Sequence, residues 1–215
     1  MDDKLMRKIS EGRQYRKAVE HFRTKETNEK DKMIVEGHAT TFGQAYTLYD
    51  DGEYRIDEQI DAGAFDECDM SDVIFQYNHE GRVFARNRNK TLEISTDESG
   101  LKVWADLSGT EEGRKLYQEI EGGYTDRMSF GFTVAEDKVE KIVDRENHKI
   151  TILRTITKVG KLYDVSAVSI PANDGTDISA RSYSDGVIEM LKAERQEERA
   201  KNETEKAKAM AMLSL

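Results

Sequence analysis

One run of eight residues constrains the fold more than any other stretch: Arg127-Met128-Ser129-Phe130-Gly131-Phe132-Thr133-Val134. Met128, Phe130, Phe132 and Val134 alternate with Arg127, Ser129, Gly131 and Thr133, and a period of two marks a strand with one apolar face. Such a strand is stable only in a sheet. Candidate partners read from the sequence are 33–42, 73–77, 83–85, 92–95 and 101–107. A hairpin follows with arms near 138–144 and 149–159 and its tip at Glu146-Asn147, then a strand over 162–170 ended by Pro171, the only proline. Residues 43–52 read as loop, through Gly43, Asp50, Asp51 and Gly52. A helix is expected near 61–69. A second begins at Ser108-Gly109-Thr110-Glu111, which matches a capping box, continues through Leu116, Tyr117 and Ile120, and stops at Gly122-Gly123. It leads into the Ser129 strand. Few strands are joined by crossover helices, so the fold class is α+β: an antiparallel or mixed sheet, closed into a β-barrel-like core with a few surrounding helices.

The aromatic residues concentrate between about 33 and 172, and the ends are charged. This predicts three parts: a charged N-terminal arm over 1–32, mobile or partly helical; a folded domain over 33–183; and a charged helical tail over 184–215. The tail ends in Met210, Met212, Leu213 and Leu215, an apolar tip suited to anchoring on a partner or to removal. A net charge of −10 argues against nucleic acid as a partner, because phosphates want a basic face. No apolar run approaches the roughly 18 residues that span a bilayer, so no membrane partner is expected. Met1-Asp2-Asp3-Lys4 opens no secretory signal, and a single cysteine forms no intrachain disulfide, which fits a reducing cytoplasm. That cysteine, Cys68, sits among Asp66, Glu67 and Asp69, whose charges disfavour a thiolate.

The chemistry starts from Ser129, on the polar face of its strand beside Gly131. A position without a side chain lets a substrate backbone approach. A serine nucleophile needs a base, and the chain has four histidines. His79 follows the buried-looking strand 73–77, where functional residues concentrate. His38 alternates with Glu36 and Thr40 as a surface strand residue, His148 sits at the hairpin turn, and His21 lies in the charged arm. Taken alone, Ser129 also reads as an ordinary strand serine, and His79 as a loop histidine bonded to backbone. Asp164 lies inside the otherwise apolar run 162–168, where a carboxylate needs a partner. It either orients an imidazole, as the third member of a serine triad, or makes a structural ion pair. The histidines show no metal-ligand spacing, and there is neither a phosphate loop nor a dinucleotide fingerprint, so no metal or cofactor is expected.

Three segments together resemble the prohead (maturation) serine proteases of tailed bacteriophages. They are Tyr77-Asn78-His79-Glu80, the stretch from Ser108 to Phe132 containing Asp126-Arg127-Met128-Ser129-Phe130-Gly131-Phe132, and the stretch from Leu162 to Asn173. Ala62-Gly63-Ala64-Phe65 adds a glycine-aromatic segment of the same family. The resemblance covers about 33–180. It implies a fold similar to that of the herpesvirus assembly protease, and a serine endopeptidase that cleaves capsid-protein precursor and scaffold segments, and itself, during prohead maturation. That places it in the host cytoplasm, inside the assembling prohead, and a homo-oligomer is compatible with it. By family pattern His79 is the general base and Ser129 the nucleophile. In the herpesvirus relatives the third position is a second histidine downstream of the serine. Here Asp164 falls in a motif strand and His148 in a turn, so Asp164 is the expected third member. Arg127 shares the Ser129 face and is a candidate oxyanion donor. The competing expectation is a noncatalytic scaffold or capsid-interior protein of the same fold.

Overall fold

A computed structural model of the chain describes residues 9, 11–21, 23–27, 32–168 and 178–213. In chain order its strands are β1 (Arg13–His21), β2 (Arg23–Lys25), β3 (Ile34–Thr41), β4 (Tyr46–Asp50), β5 (Tyr54–Ile60), β6 (Ile74–Tyr77), β7 (Glu80–Arg86), β8 (Leu92–Thr96), β9 (Gly100–Asp106), β10 (Arg127–Asp144) and β11 (Lys149–Val168). The long helices are α1 (Glu111–Glu121) and α2 (Ile178–Leu213). The first eight residues, the end of the expected strand 162–170 with Pro171, and Leu215 lie outside the described residues.

The alternating run becomes the first half of β10. Met128, Phe130 and Phe132 are fully buried, as their period requires. β10 and β11 form one long antiparallel hairpin, and the turn 145–148 sits where Glu146-Asn147 marks it. The two hairpin arms and the two flanking motif strands expected from the sequence are therefore only two continuous strands. Register shifts between Gly131 and Asp137 bend this ladder and let the sheet curl. On its other edge β11 takes two parallel partners end to end: β5 against Ile150–Ile156 and β6 against Asp164–Ala167. The order of the larger sheet is β1-β10-β11-β5-β4, with β7 on β6, and a second sheet runs β2-β3-β9-β8. The fold is mostly sheet, with a curled half-barrel as its larger layer. One apolar cluster, including Val35, Phe65, Phe75, Val103, Phe130 and Leu162, fills the space between the sheets. A second, around Ile56, Ile152, Tyr183, Val187 and Leu191, lies under the start of α2.

Several expectations are corrected here. The segment 43–52 contains strand β4, which pairs with β5. The segment 61–69 is a chain of tight turns, not a helix. Ala64 N, Asp66 N and Cys68 N each donate three residues back, to Asp61, Gly63 and Phe65 carbonyls, and buried Ala64 and Phe65 pin the segment to the core. α1 is capped by Thr110, whose Oγ1 accepts from Gly113 N at 2.9 Å, so the cap falls two residues later than Ser108. The arm 1–32 is not loose throughout: β1 is the edge strand of the larger sheet and β2 joins β3. Gln14 and Arg16 are buried there because they pair with buried polar groups, a pattern that hydropathy cannot register. Nor is all of the tail a separate element, since Val187, Ile188 and Leu191 of α2 are core residues.

Candidate active site

Three elements converge on β11. β6 and β7 are joined by a two-residue turn, Tyr77 pairing with Glu80 across it. Both turn residues are left-handed, Asn78 with φ 51° and His79 with φ 61°. Two-residue hairpins of type I′ require this, and asparagine and histidine tolerate it better than most residues. Asn78 N donates to Ala167 O at 2.9 Å, which ties the turn to β11. The strained turn thus holds the His79 ring over β10 and β11, and strain of about 1–3 kcal/mol per residue persists only where the surroundings enforce it.

His79, Ser129 and Asp164 meet in a hydrogen-bonded line. His79 Nε2 lies 2.5 Å from Ser129 Oγ, and Nδ1 lies 2.5 Å from Asp164 Oδ1. Ser129 and Asp164 are diagonal neighbours on one face of the β10–β11 ladder, Ser129 opposite Ser166 and Gly131 opposite Asp164. Asp164 is 0% exposed, a position tolerable for a carboxylate only when its lone pairs are satisfied. Three donors do so: the His79 ring, Ser166 Oγ at 3.0 Å, and the Arg13 guanidinium on Oδ2. With Nδ1–H donating to Asp164, Nε2 presents a lone pair toward the serine, the tautomer a general base needs.

β1 contributes as much to the site as the motif strands. Arg13 pairs with Asp164 and lies over the rings of Tyr15 and Tyr163. Tyr15 packs on His79, ring centroids 4.4 Å apart at 60°. The backbone carbonyl of Arg16 accepts from Ser129 Oγ at 2.9 Å. These groups, with Ser166, were missed because 13–17 alternates polar with polar and Ser166 lies within a strand that shows only its apolar residues. Gly131 is also reinterpreted. A β-carbon there would lie 2.5 Å from Asp164 Oδ2, 2.8 Å from Tyr15 Cε1 and 2.9 Å from Arg13 Nε. The missing side chain makes room for Asp164 and for the side chains of β1.

The other candidates lie apart. His148 is exposed at the hairpin tip, roughly 50 Å of strand from Ser129. His38 bonds Asp97 at 2.9 Å, and that contact holds the Asp97 carboxyl down to about 2. Arg127 is half-exposed beside Asp126, 3.8 Å away. Burial, more than the acidic neighbours, pushes the Cys68 thiol up to about 11. Among the described residues no group of three or more His, Cys, Asp or Glu side chains is arranged to hold a metal ion, and no helix is long and apolar enough to cross a membrane.

A family profile described as caudovirus prohead serine protease matches residues 20–189. Among solved structures, the bacteriophage T4 capsid assembly protease, gp21, is similar at 11% identity and a TM-score of 0.41, over 75% of this chain and 100% of that one. No curated protein sequence matches.

Proposed function

The chain belongs to the caudovirus prohead serine protease family, and from this premise we propose that it is a maturation endopeptidase in which Ser129 is the nucleophile, His79 the general base and Asp164 the residue that orients and charges the imidazole. The observation that carries the reading is the unbroken line from Asp164 Oδ1 through both His79 nitrogens to Ser129 Oγ. His79 Nε2 takes the hydroxyl proton as Oγ attacks a peptide carbonyl, and returns it to the leaving amine. Asp164 stabilises the imidazolium between those steps. Ser166 Oγ holds the carboxylate in place, and Arg13 does so while β1 is paired with β10.

The substrates in this reading are capsid-protein precursor and scaffold segments, and the chain itself, cut inside the assembling prohead in the host cytoplasm. The half-barrel is read as the herpesvirus-assembly-protease type, with aspartate in place of the second histidine. A fluorophosphonate probe tests the chemistry. Labelling is expected at Ser129, and it should vanish in Ser129→Ala and fall sharply in His79→Ala, while both variants stay folded. A folded wild-type chain that takes no label, or a His79→Ala chain labelled at the wild-type rate, would favour a noncatalytic scaffold of the same fold.

A further inference from the structure

We propose that residues 13–17 occupy the cleft of this protease as its own first substrate: the Arg16–Lys17 bond is the self-cleavage site, and Glu58 makes the cleft selective for a basic residue on the acyl side of the bond. The proposal rests on the triad reading above and extends it to substrate choice.

The backbone makes the first half of the case. β1 lies antiparallel beside β10, with Arg13 to Lys17 paired in register with Thr133 to Ser129. An extended peptide added to a sheet edge binds in this way. The peptide group against the nucleophile is the carbonyl of Arg16, 2.9 Å from Ser129 Oγ. The regular ladder ends one residue later and resumes only at His21, so β1 bulges away from β10 on the leaving-group side of that carbonyl. The preceding residue, Tyr15, packs on His79. Ser129 is itself only 3% exposed, so with β1 in place no other peptide reaches it.

The Arg16 side chain makes the second half. It points to the other face of the sheet, into a buried pocket, where Nε and Nη2 reach the two Glu58 oxygens at 2.6 and 3.1 Å. Glu58 is 0% exposed and is held in place by Tyr46 Oη at 2.6 Å and Arg154 Nη1 at 2.8 Å, while Arg154 Nε bonds Asp137 at 2.6 Å. Without Arg16 the pocket contains two carboxylates and one guanidinium. A cation from the cleft strand balances it. An acidic side chain would add a like charge in a low dielectric, and a neutral one would leave the imbalance. A residue buried only for its ion pair has no reason to place its carbonyl on the nucleophile, and Arg16 does both.

Ser129 Oγ lies 2.9 Å from the Arg16 carbonyl oxygen and 2.5 Å from His79 Nε2, and its single proton serves one of these acceptors at a time. Cleavage requires the peptide to rotate until its carbon faces Oγ. Oγ then bonds to that carbon as His79 Nε2 takes the hydroxyl proton. The carbon–nitrogen bond to Lys17 breaks as the same proton passes to the nitrogen. Water hydrolyses the resulting ester, leaving an Arg16 carboxylate and free Ser129. Departure of the N-terminal peptide opens the edge of β10 and the Glu58 pocket, which keeps Tyr46 and Arg154, to the next chain.

The test incubates the purified full-length chain and follows its intact mass and N-terminal sequence. A new N terminus at Lys17 is expected in wild type and in Arg16→Lys, and none at that bond in Ser129→Ala or Arg16→Met. The processed wild-type enzyme should prefer arginine or lysine over leucine or glutamate on the acyl side of peptide substrates by more than about thirtyfold in kcat/KM, the effect of losing a buried charge partner. That comparison does not depend on any variant folding. A chain that labels at Ser129 and digests casein, yet keeps its N terminus, is cut elsewhere, or shows no basic preference, overturns this proposal and leaves the protease reading intact. A chain that neither labels nor cleaves overturns both.

Discussion

Replacing Gly131 with alanine probes how tightly the site is built. Its backbone is not left-handed, so alanine introduces no torsional strain and acts only through its volume. The added carbon would lie 2.5 Å from Asp164 Oδ2, 2.8 Å from Tyr15 Cε1 and 2.9 Å from Arg13 Nε. An ordinary contact needs about 3.5 Å, so Asp164 would have to retreat by about 1 Å. Arg13 can swing away, being partly exposed. Asp164 cannot do so freely, because its neighbours bury it and its oxygens accept from His79, Ser166 and Arg13. A displacement of that size at a group orienting the base lowers turnover by about 10²-fold, while overpacking costs about 1–3 kcal/mol of stability. The assay is the rate of fluorophosphonate labelling and of casein hydrolysis, beside urea unfolding of the same sample. The reasoning is refuted if Gly131→Ala labels and cleaves within threefold of wild type with an unchanged unfolding midpoint.

Asp164→Asn should lower kcat by about 10³-fold or more with the fold retained, because an amide cannot stabilise the imidazolium, and His148→Ala should leave hydrolysis unchanged; the reverse pattern in a steady-state assay would transfer the third role to His148. Acid should weaken the buried cluster: burial alone would raise the Glu58 carboxyl, but Arg16 and Arg154 hold it down to about 2 against an ordinary 4.5. The folded value is the depressed one, so the associated stability, about 3 kcal/mol, is present above pH 4.5 and lost as pH falls toward 2. Urea midpoints measured across that window should drop in wild type and flatten in Glu58→Gln. A fragment of residues 33–183 should fail to fold, contrary to the sequence-based division. Val187, Ile188, Met190 and Leu191 pack on Leu48, Tyr54, Ile56 and Ile152, and burial of each such side chain contributes about 1.5–3 kcal/mol. A fragment of 11–196 should fold, and circular dichroism melts of the two would separate these outcomes.

How much could be read beforehand varied with the kind of signal each residue carried. The apolar face of β10 announced itself because Met128, Phe130 and Phe132 recur at period two and all enter one core. The Glu146-Asn147 turn and α1 were legible for the same reason, since turn chemistry and helical spacing are local. His79 stood out only as the residue after an apolar strand; its left-handed conformation at the turn was not visible. The cap of α1 slipped from Ser108 to Thr110 because either can cap, and packing of Leu116 and Ile120 chose the phase.

The chain's own pattern marked β3, β6, β9 and the motif halves of β10 and β11 as strands, though not β1, β4 or β5, and a family resemblance said which serine, histidine and aspartate to consider together. The three-dimensional fold was needed to reveal that β6 runs parallel to β11 and so brings His79 to Asp164, which is 85 residues away in the chain. It alone placed β1 against Ser129, with Arg13 on Asp164 and Arg16 on Glu58. The physical reason is that hydrophobic burial writes a local, periodic pattern into a chain, whereas a buried charge is permitted only by partners that the fold brings from elsewhere. Until those partners are known, Arg13, Gln14 and Arg16 look like surface residues of a solvated arm.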